Sequence, residues 1–540
     1  MLFNSMAFAI FLPINFILYW ACPAKFRYLY LIAASYYFYG SMDAAYPLLL
    51  FYTTAVSYGL ALFMDGRVRP RLQKTVFLTG LLALAWPLLF FKYIHALFPG
   101  LTATVHFMLP AGISFYTFQA LGYFIDVYQG KYPAERRFGH YCLFLSFFPQ
   151  LLSGPIGRGD RLLPQWNQCR PFDAAQASYG LKLMAVGYFK KLVIASLLAP
   201  TIDMVYNHPG RYAGLIFPIA TVFFAIQIYC DFSGYTDIAI GCARLFGITL
   251  GDNFKSPYFS GSIREFWSRW HISLSSWFRD YVYIPLGGSR VKPLRQTLNL
   301  MATFLVSGLW HGAGCTYLAW GALHGFYRVL ENGKNPFQRK KERHPVKETP
   351  PRKKWHRIKG KHPIKERHFI KGKHPIKERH LIKEMHSIKE IHSIKDKYSI
   401  NCTKKDAGCK KCKCGAALRQ ISSTALTFFA VCIAWVFFRA NSLRDAWRIL
   451  SMSLHGITDF YNYVKTAVIF LDMDYGHMLY ISIPLLFLAI YDYASLKTDV
   501  IAYISSRKAW KRYSVYILFL LAILLFSEKG VSTEFYYFQF

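Results

Sequence analysis

The sequence predicts an all-α polytopic membrane protein, and three observations carry that prediction. Of its 540 residues, 54% are hydrophobic and 18% aromatic, only 17% are charged, and the mean hydropathy is +0.21. Soluble domains seldom have this balance. Uncharged stretches of about 20 residues, the length needed to cross a bilayer as a helix, recur along most of the chain. Basic residues gather in alternate short connections between those stretches, as the positive-inside rule expects of a multi-pass protein. Together these features argue against a soluble enzyme, a disordered chain or a secreted disulfide scaffold. The eleven cysteines follow no framework, and seven lie in or beside apolar segments, where Cys behaves as a small hydrophobe.

The first five spans are expected at about 6 to 22, 26 to 40, 44 to 64, 75 to 95 and 107 to 125. The first 24 residues carry no Lys or Arg, so the opening run lacks the basic flank of a cleaved signal peptide and reads as an uncleaved span. Lys25 and Arg27, then Arg67, Arg69, Arg71 and Lys74, then Lys131, Arg136 and Arg137 mark every second connection. That alternation places the N-terminus outside and those loops in the cytoplasm. Further apolar runs lie near 139 to 153, 177 to 199, 213 to 230, 297 to 330, 421 to 438, 478 to 492 and 513 to 527. The total is roughly eleven spans, some of them short or re-entrant. Between 254 and 296 a Trp-, Arg-, Ser- and Gly-rich segment breaks the pattern and is expected to be buried or interfacial. The basic loop Lys497 to Arg512 is expected in the cytoplasm, which places the 439 to 477 connection and the C-terminus outside. Arg439, Arg444 and Arg448 work against that placement.

A net charge of +35 would ordinarily raise nucleic acid as a partner, but its distribution does not. Residues 334 to 420 hold 28 Lys and Arg against 8 Asp and Glu. They form a basic insert between membrane segments 1 to 333 and 421 to 540. Hexads of the form His-x-Ile-Lys-x-x begin at His356, His362, His368, His374, His380, His386 and His392. A hexapeptide β-helix would need glycine and tolerate less charge. The histidines together with Cys402, Cys409, Cys412 and Cys414 could ligate a metal such as zinc, although no tetrahedral spacing is specified. The favoured reading is a solvated cytoplasmic loop without fixed structure, given its charge and its prolines.

Ionisable residues inside a membrane cost about 2.5 to 3.5 kcal/mol each at a helix centre and merit a functional hypothesis. Leu309-Trp310-His311-Gly312-Ala313-Gly314 interrupts one apolar run, and Trp320-Gly321-Ala322-Leu323-His324-Gly325 follows in the next. Glycines let helix backbones approach closely, and an imidazole among them can accept a proton near neutral pH. A buried His is also commonly a hydrogen-bonded packing residue, the plainer reading of His324. A second cluster runs from Arg264 through Glu265, Trp267, Arg269, Trp270, His271, Trp277 and Arg279 to Asp280, followed by Tyr283-Ile284-Pro285-Leu286-Gly287-Gly288. Arg264, Arg269 and Arg279 could grip donor phosphates or anchor at the interface. Glu265 and Asp280 read as their counterions, and the tryptophans as packing residues.

These motifs resemble the membrane-bound O-acyltransferase superfamily, in particular its bacterial alginate O-acetyltransferase type. Met1-Leu2-Phe3-Asn4-Ser5, Phe147-Phe148-Pro149-Gln150, Gly154-Pro155, Asp231-Phe232-Ser233-Gly234-Tyr235 and Asn253-Phe254 to Pro257-Tyr258 also fit, leaving only the 334 to 420 insert foreign. The resemblance implies a helical membrane bowl with a cytoplasmic donor entrance near a central histidine. It implies His311 at the family's catalytic position and His271 at a second polar position, with Trp310 and Asn253 beside Arg264, Arg269 and Arg279 as substrate contacts. It further implies an acyl-CoA-type donor, acetyl-CoA foremost, with no bound cofactor or metal. The expected acceptor is an exported polysaccharide, reached directly or through a periplasmic or surface transferase with a Ser nucleophile. The terminal Phe535 to Phe540 resembles the family's aromatic tail, or forms an aromatic belt. The expected setting is a bacterial inner membrane. The alternatives are a D-alanyl transferase of teichoic acid synthesis, fed by a carrier protein, and a polytopic transporter. A transporter would be expected to show internal repeats, and none is evident.

Overall fold

The computed structural model describes residues 1–66, 69–97, 109–168, 170–334, 410–470 and 475–526. The hexads, Cys402, Cys409 and the terminal aromatic tail lie outside them. Two units are distinguished, Met1–Lys334 with Ser423–Phe540, and Asn335–Ser422. Of the second, only residues 410–422 are described, and they are helical.

All regular structure among the described residues is helical. The order begins with α1 (Met6–Ala21), α2 (Arg27–Gly40), α3 (Tyr46–Asp65), α4 (Pro70–Leu97), α5 (Ile113–Tyr128), α6 (Phe138–Ser146), α7 (Phe148–Leu151) and α8 (Gly159–Trp166). Next come α9 (Ala174–Tyr188), running through a π-helical segment Phe189–Ala195 into α10 (Ser196–Asn207), and then α11 (Ile216–Leu245). After these follow α12 (Ile263–Arg269), α13 (Ile272–Phe278) with a π-helical segment Arg279–Tyr283, α14 (Pro293–His311) and α15 (Cys315–Lys334). The chain ends in α16 (Lys410–Arg439), α17 (Leu443–Met452), α18 (Phe460–Phe470), α19 (Tyr475–Ser495), α20 (Val500–Ser505) and α21 (Ala509–Phe526).

Among the described residues, seven helical stretches are long and apolar enough to cross a membrane: Tyr46–Asp65, Pro70–Ile94, Ala174–Asn207, Ile216–Leu245, Ala417–Arg439, Met478–Ser495 and Ala509–Phe526. Met6–Ala21 is a shorter apolar helix. The other expected runs are helical too, but shorter or more polar. The run at 139 to 153 is not one span. It divides into α6 and α7 around Phe147, and residues 140–156 are all buried within the protein rather than facing lipid. The run at 297 to 330 is a hairpin, α14 and α15, turning at Gly312–Gly314. The connection at 439 to 477 contains two helices, α17 and α18, that hydropathy alone did not suggest.

Small residues set the closest helix approaches. A Cβ on Gly187 of α9 would lie 2.5 Å from the Gly234 carbonyl oxygen of α11. A Cβ on Gly308 of α14 would lie 2.4 Å from the Tyr317 carbonyl oxygen of α15, and one on Gly321 would lie 2.4 Å from that of Phe304. Any larger side chain would pry these pairs apart. Close contact is therefore built into both, as expected where packing rather than solvent exclusion drives helix association.

The α9/α11 contact also carries buried charge. Lys190 Nζ pairs with Asp237 Oδ2 at 2.8 Å, Lys191 pairs with Asp231, and the Tyr229 hydroxyl donates to Asp492 Oδ1 of α19 at 3.0 Å. Asp231 belongs to the Asp-Phe-Ser-Gly-Tyr motif, which gives that motif a structural function: its carboxylate meets a lysine and its glycine admits the neighbouring helix.

Candidate active site

The α14/α15 hairpin places His311 at the C-terminal end of α14. The side chain is 4% exposed, and its ring lies 4.5 Å from Trp310, 4.9 Å from Trp320 and 5.0 Å from Phe438 of α16, centroid to centroid. The glycine contacts above bring Trp320 to it. Trp435, one helical turn before Phe438, lies 6.1 Å from Trp320. The indole N–H groups of Trp310, Trp320 and Trp435 are buried with no hydrogen-bond partner among the described residues. Trp310 and Trp320 thus hold two indole N–H donors beside the His311 ring, groups able to meet a developing negative charge.

His271 occupies the break between α12 and α13 in a left-handed conformation, φ +42°, which costs a non-glycine residue about 1–2 kcal/mol. The preceding strap holds the break in place. The Ile272 N–H donates to the Asn253 carbonyl at 2.9 Å, and Asn253 Oδ1 accepts from the Ser273 N–H at 3.1 Å and the Ser273 hydroxyl at 2.9 Å. The Lys255 N–H donates to the Arg269 carbonyl at 3.0 Å. Asn253 therefore grips the His271 turn. The His271 ring is 1% exposed and lies 4.6 Å from Phe232 and 6.3 Å from Trp310, and its Nε2 has no partner. His324 is fully buried, and its Nδ1 accepts from Trp267 Nε1 at 3.3 Å. His271, His324 and Lys92 all lie within electrostatic reach of His311.

The three arginines of the second cluster are each engaged locally. Arg269 pairs with Glu265 at 2.5 Å, Arg279 pairs with Asp280 at 2.8 Å, and Arg264 donates to Asn332 Oδ1 at 3.2 Å. Asp280 also holds Arg158 at 2.8 Å, and Arg158 reaches Tyr281, whose hydroxyl donates to Asp126 at 2.7 Å. This network ties the π-helical segment to α5. A separate cleft of about 260 Å³ opens beside the His271 turn, and its lining includes Arg158, Arg161, Asp252, Lys255, Ser273 and Ser276, with Lys255 paired to Asp252 at 3.0 Å.

The sequence reading missed several of these residues. Lys92 of α4 lies 5.2 Å over the Trp310 ring, and the neighbouring Tyr93 hydroxyl donates to the Leu309 carbonyl. A lone lysine inside the 75 to 95 run was the available signal. Trp320 stood in the second histidine motif with no role of its own, Trp435 lay inside the 421 to 438 apolar run, and Arg158 and Arg161 sat in a loop with no motif. Among the described residues no group of three or more His, Cys, Asp or Glu could hold a metal ion.

An imidazole in an aromatic enclosure, with unpaired N–H donors beside it and a cationic cleft next to the second histidine, suits transfer of an acyl group between a thioester and a hydroxyl. Comparison with known proteins points to an acyltransferase. Residues 136–351 match MBOAT, the membrane-bound O-acyltransferase family. The "Probable alginate O-acetylase AlgI" of Azotobacter vinelandii is 37% identical over 344 residues, covering 61% of this chain and 68% of that protein. The "Peptidoglycan O-acetyltransferase" of Helicobacter pylori is 36% identical over 365 residues, covering 60% and 69%. The "Teichoic acid D-alanyltransferase" of Streptococcus thermophilus is 30% identical over 247 residues, covering 43% and 59%.

The chain belongs to the membrane-bound O-acyltransferase family. Within it, the similarity is to the alginate type, and the protein is a multi-pass membrane acyltransferase.

Proposed function

We propose that the protein takes an acetyl group from acetyl-CoA or a related cytoplasmic thioester and delivers it to a hydroxyl on the outer face, for O-acetylation of an exported polysaccharide. One observation carries this reading. His271 stands where the cationic cleft and the aromatic enclosure meet: Ile272 and Ser273, just after it, line the cleft, and its ring lies against Trp310, which flanks His311. The donor's phosphates would rest near Arg158, Arg161 and Lys255, and its thioester would reach past His271 toward His311.

In this mechanism the acceptor hydroxyl oxygen attacks the thioester carbonyl carbon while His311 removes its proton. The carbonyl oxygen gains charge and is met by the indole N–H groups of Trp310 and Trp320. The C–S bond then breaks, the ester remains on the acceptor, and the proton on His311 passes to the departing thiolate. Relatives described as acetylating alginate and peptidoglycan support a glycan acceptor. A periplasmic or surface transferase with a Ser nucleophile fits as an intermediate carrier. The proposed setting is the inner membrane, with both termini outside and the basic insert in the cytoplasm.

The similarity to a D-alanyltransferase favours one second reading, in which the donor is an aminoacylated carrier protein. The test supplies labelled acetyl-CoA, or a D-alanyl carrier protein, to the purified protein in vesicles and follows release of the thiol and label on a glycan acceptor. Turnover with acetyl-CoA is the expected result. Turnover with the carrier protein alone would establish the second reading, and a folded protein inert to both would overturn the donor assignment.

A further inference from the structure

A second cavity, separate from the residues of the active site, lies between the α9 end of the Ala174–Asn207 span and the C-terminal helices α19, α20 and α21. Its volume is about 440 Å³, and Ala185, Phe189, Leu488, Ile504 and Phe519 are among the residues that form its wall. The wall is almost wholly apolar, and α21, which closes one side, has no buried residue of its own. In a bilayer the groove therefore opens toward lipid.

Its two ends differ. At the deep end Lys190 is already paired with Asp237, and its ammonium lies 5.6 Å over the Tyr491 ring. At the other end Lys182 donates to Ser505 Oγ at 2.9 Å and lies 5.3 Å over the Tyr516 ring. The turn from α20 to α21 and the first turn of α21 carry Arg507, Lys508, Lys511 and Arg512. Arg512 reaches the Ser505 carbonyl at 3.4 Å, and Arg507 lies 3.9 Å over the Tyr503 ring. None of these five cations is ion-paired with a carboxylate among the described residues. Asp499, on the neighbouring loop, caps α20 and accepts from the Tyr179 hydroxyl at 3.0 Å.

We propose that this groove binds an anionic glycerophospholipid of the surrounding bilayer, with an acyl chain along the apolar wall and the phosphate at Lys182 and the α20–α21 turn. Charge complementarity selects the occupant. A basic rim above an interhelical apolar pocket is the arrangement that retains acidic headgroups, and a chain alone would need no such rim. The bound lipid ties α19–α21 to the Ala174–Asn207 span, which also carries the buried lysines. The proposal is independent of the acyl-transfer reading.

The experiment strips the full-length purified protein of lipid in detergent. It then offers equal phosphatidylglycerol and phosphatidylcholine, reading retained lipid by native mass spectrometry and protection by thermal melting. Phosphatidylglycerol should be retained at least about fivefold over phosphatidylcholine and raise the melting temperature more. Lys182→Gln and Arg512→Gln should each lower that preference by about fivefold, the effect of one basic contact near a membrane surface. Ala185→Trp, which fills the groove, should reduce retention of both lipids. Equal retention of the two lipids by the wild-type protein would overturn the proposal, and so would equal protection by inorganic phosphate, which lacks a chain.

Discussion

The α9/α11 contact and the enclosure around His311 both bury polar groups in apolar surroundings, and they treat them in opposite ways. Between α11 and the π-helical segment after α9 the buried lysines meet carboxylates: Lys190 with Asp237, Lys191 with Asp231. Beside His311 the indole N–H groups of Trp310 and Trp320 have no partner among the described residues. Paired groups fix one helix against another and have nothing left to offer a ligand. Unpaired donors are left to meet a group brought to them. The difference separates architecture from chemistry in a protein where both use buried polar residues.

Substitutions can break or sharpen that contrast. The largest effect is expected at His311. His311→Ala should leave expression and donor binding nearly intact while single-turnover transfer falls by roughly 10² to 10⁴. His271→Ala should weaken donor binding as well as turnover, because the residues that follow His271 in its turn, Ile272 and Ser273, line the cleft. Near-normal transfer by folded His311→Ala would remove it from the mechanism.

On the architectural side, Lys191→Ala strands a buried carboxylate and should destabilise the fold by about 3–5 kcal/mol, read as a lowered melting temperature. The double change Lys191→Met with Asp231→Leu should regain most of it. A single variant that melts like wild type would end the claim that this pair is structural.

Replacing Trp320 by the isostere 3-benzothienylalanine keeps the fused rings and exchanges only the N–H for sulfur. It should lower turnover by about 10² with little change in melting or in donor KM, the pattern of a contact made in the transition state. A change in melting with turnover intact would place Trp320 with the packing aromatics.

Smaller still is the donor-site comparison. Arg161→Gln should raise the donor KM several-fold and flatten its salt dependence, since exposed charge contacts are screened by salt. Arg269→Gln should do less, its guanidinium being held by Glu265. The reverse order would return the donor phosphates to the 264 to 279 segment. Replacing residues 340 to 409 by a Gly/Ser linker should leave transfer unchanged if the basic insert is peripheral, and loss of transfer would give it a catalytic or donor-delivery part.

The membrane class, the helical spans, the break at 254 to 296 and the histidine motifs were legible because each is a local property. A run of apolar residues must satisfy its backbone internally, and only a helix does so within one segment. The family resemblance rested on the same local motifs. Tertiary structure decided which groups share a space. Lys92 and Trp310 are far apart in sequence and meet through ring and ammonium, and Asn253 reaches forward to fix the His271 turn. Arg264, Arg269 and Arg279 looked like a phosphate grip on charge alone, yet Arg269 and Arg279 pair with carboxylates of their own segment and Arg264 with Asn332 of α15, while Arg161 and the Asp280-held Arg158 line the cleft. Composition and period report what a segment must do with its own backbone. Whether a buried donor finds an acceptor depends on helices packed from distant parts of the chain, and no local pattern specifies that.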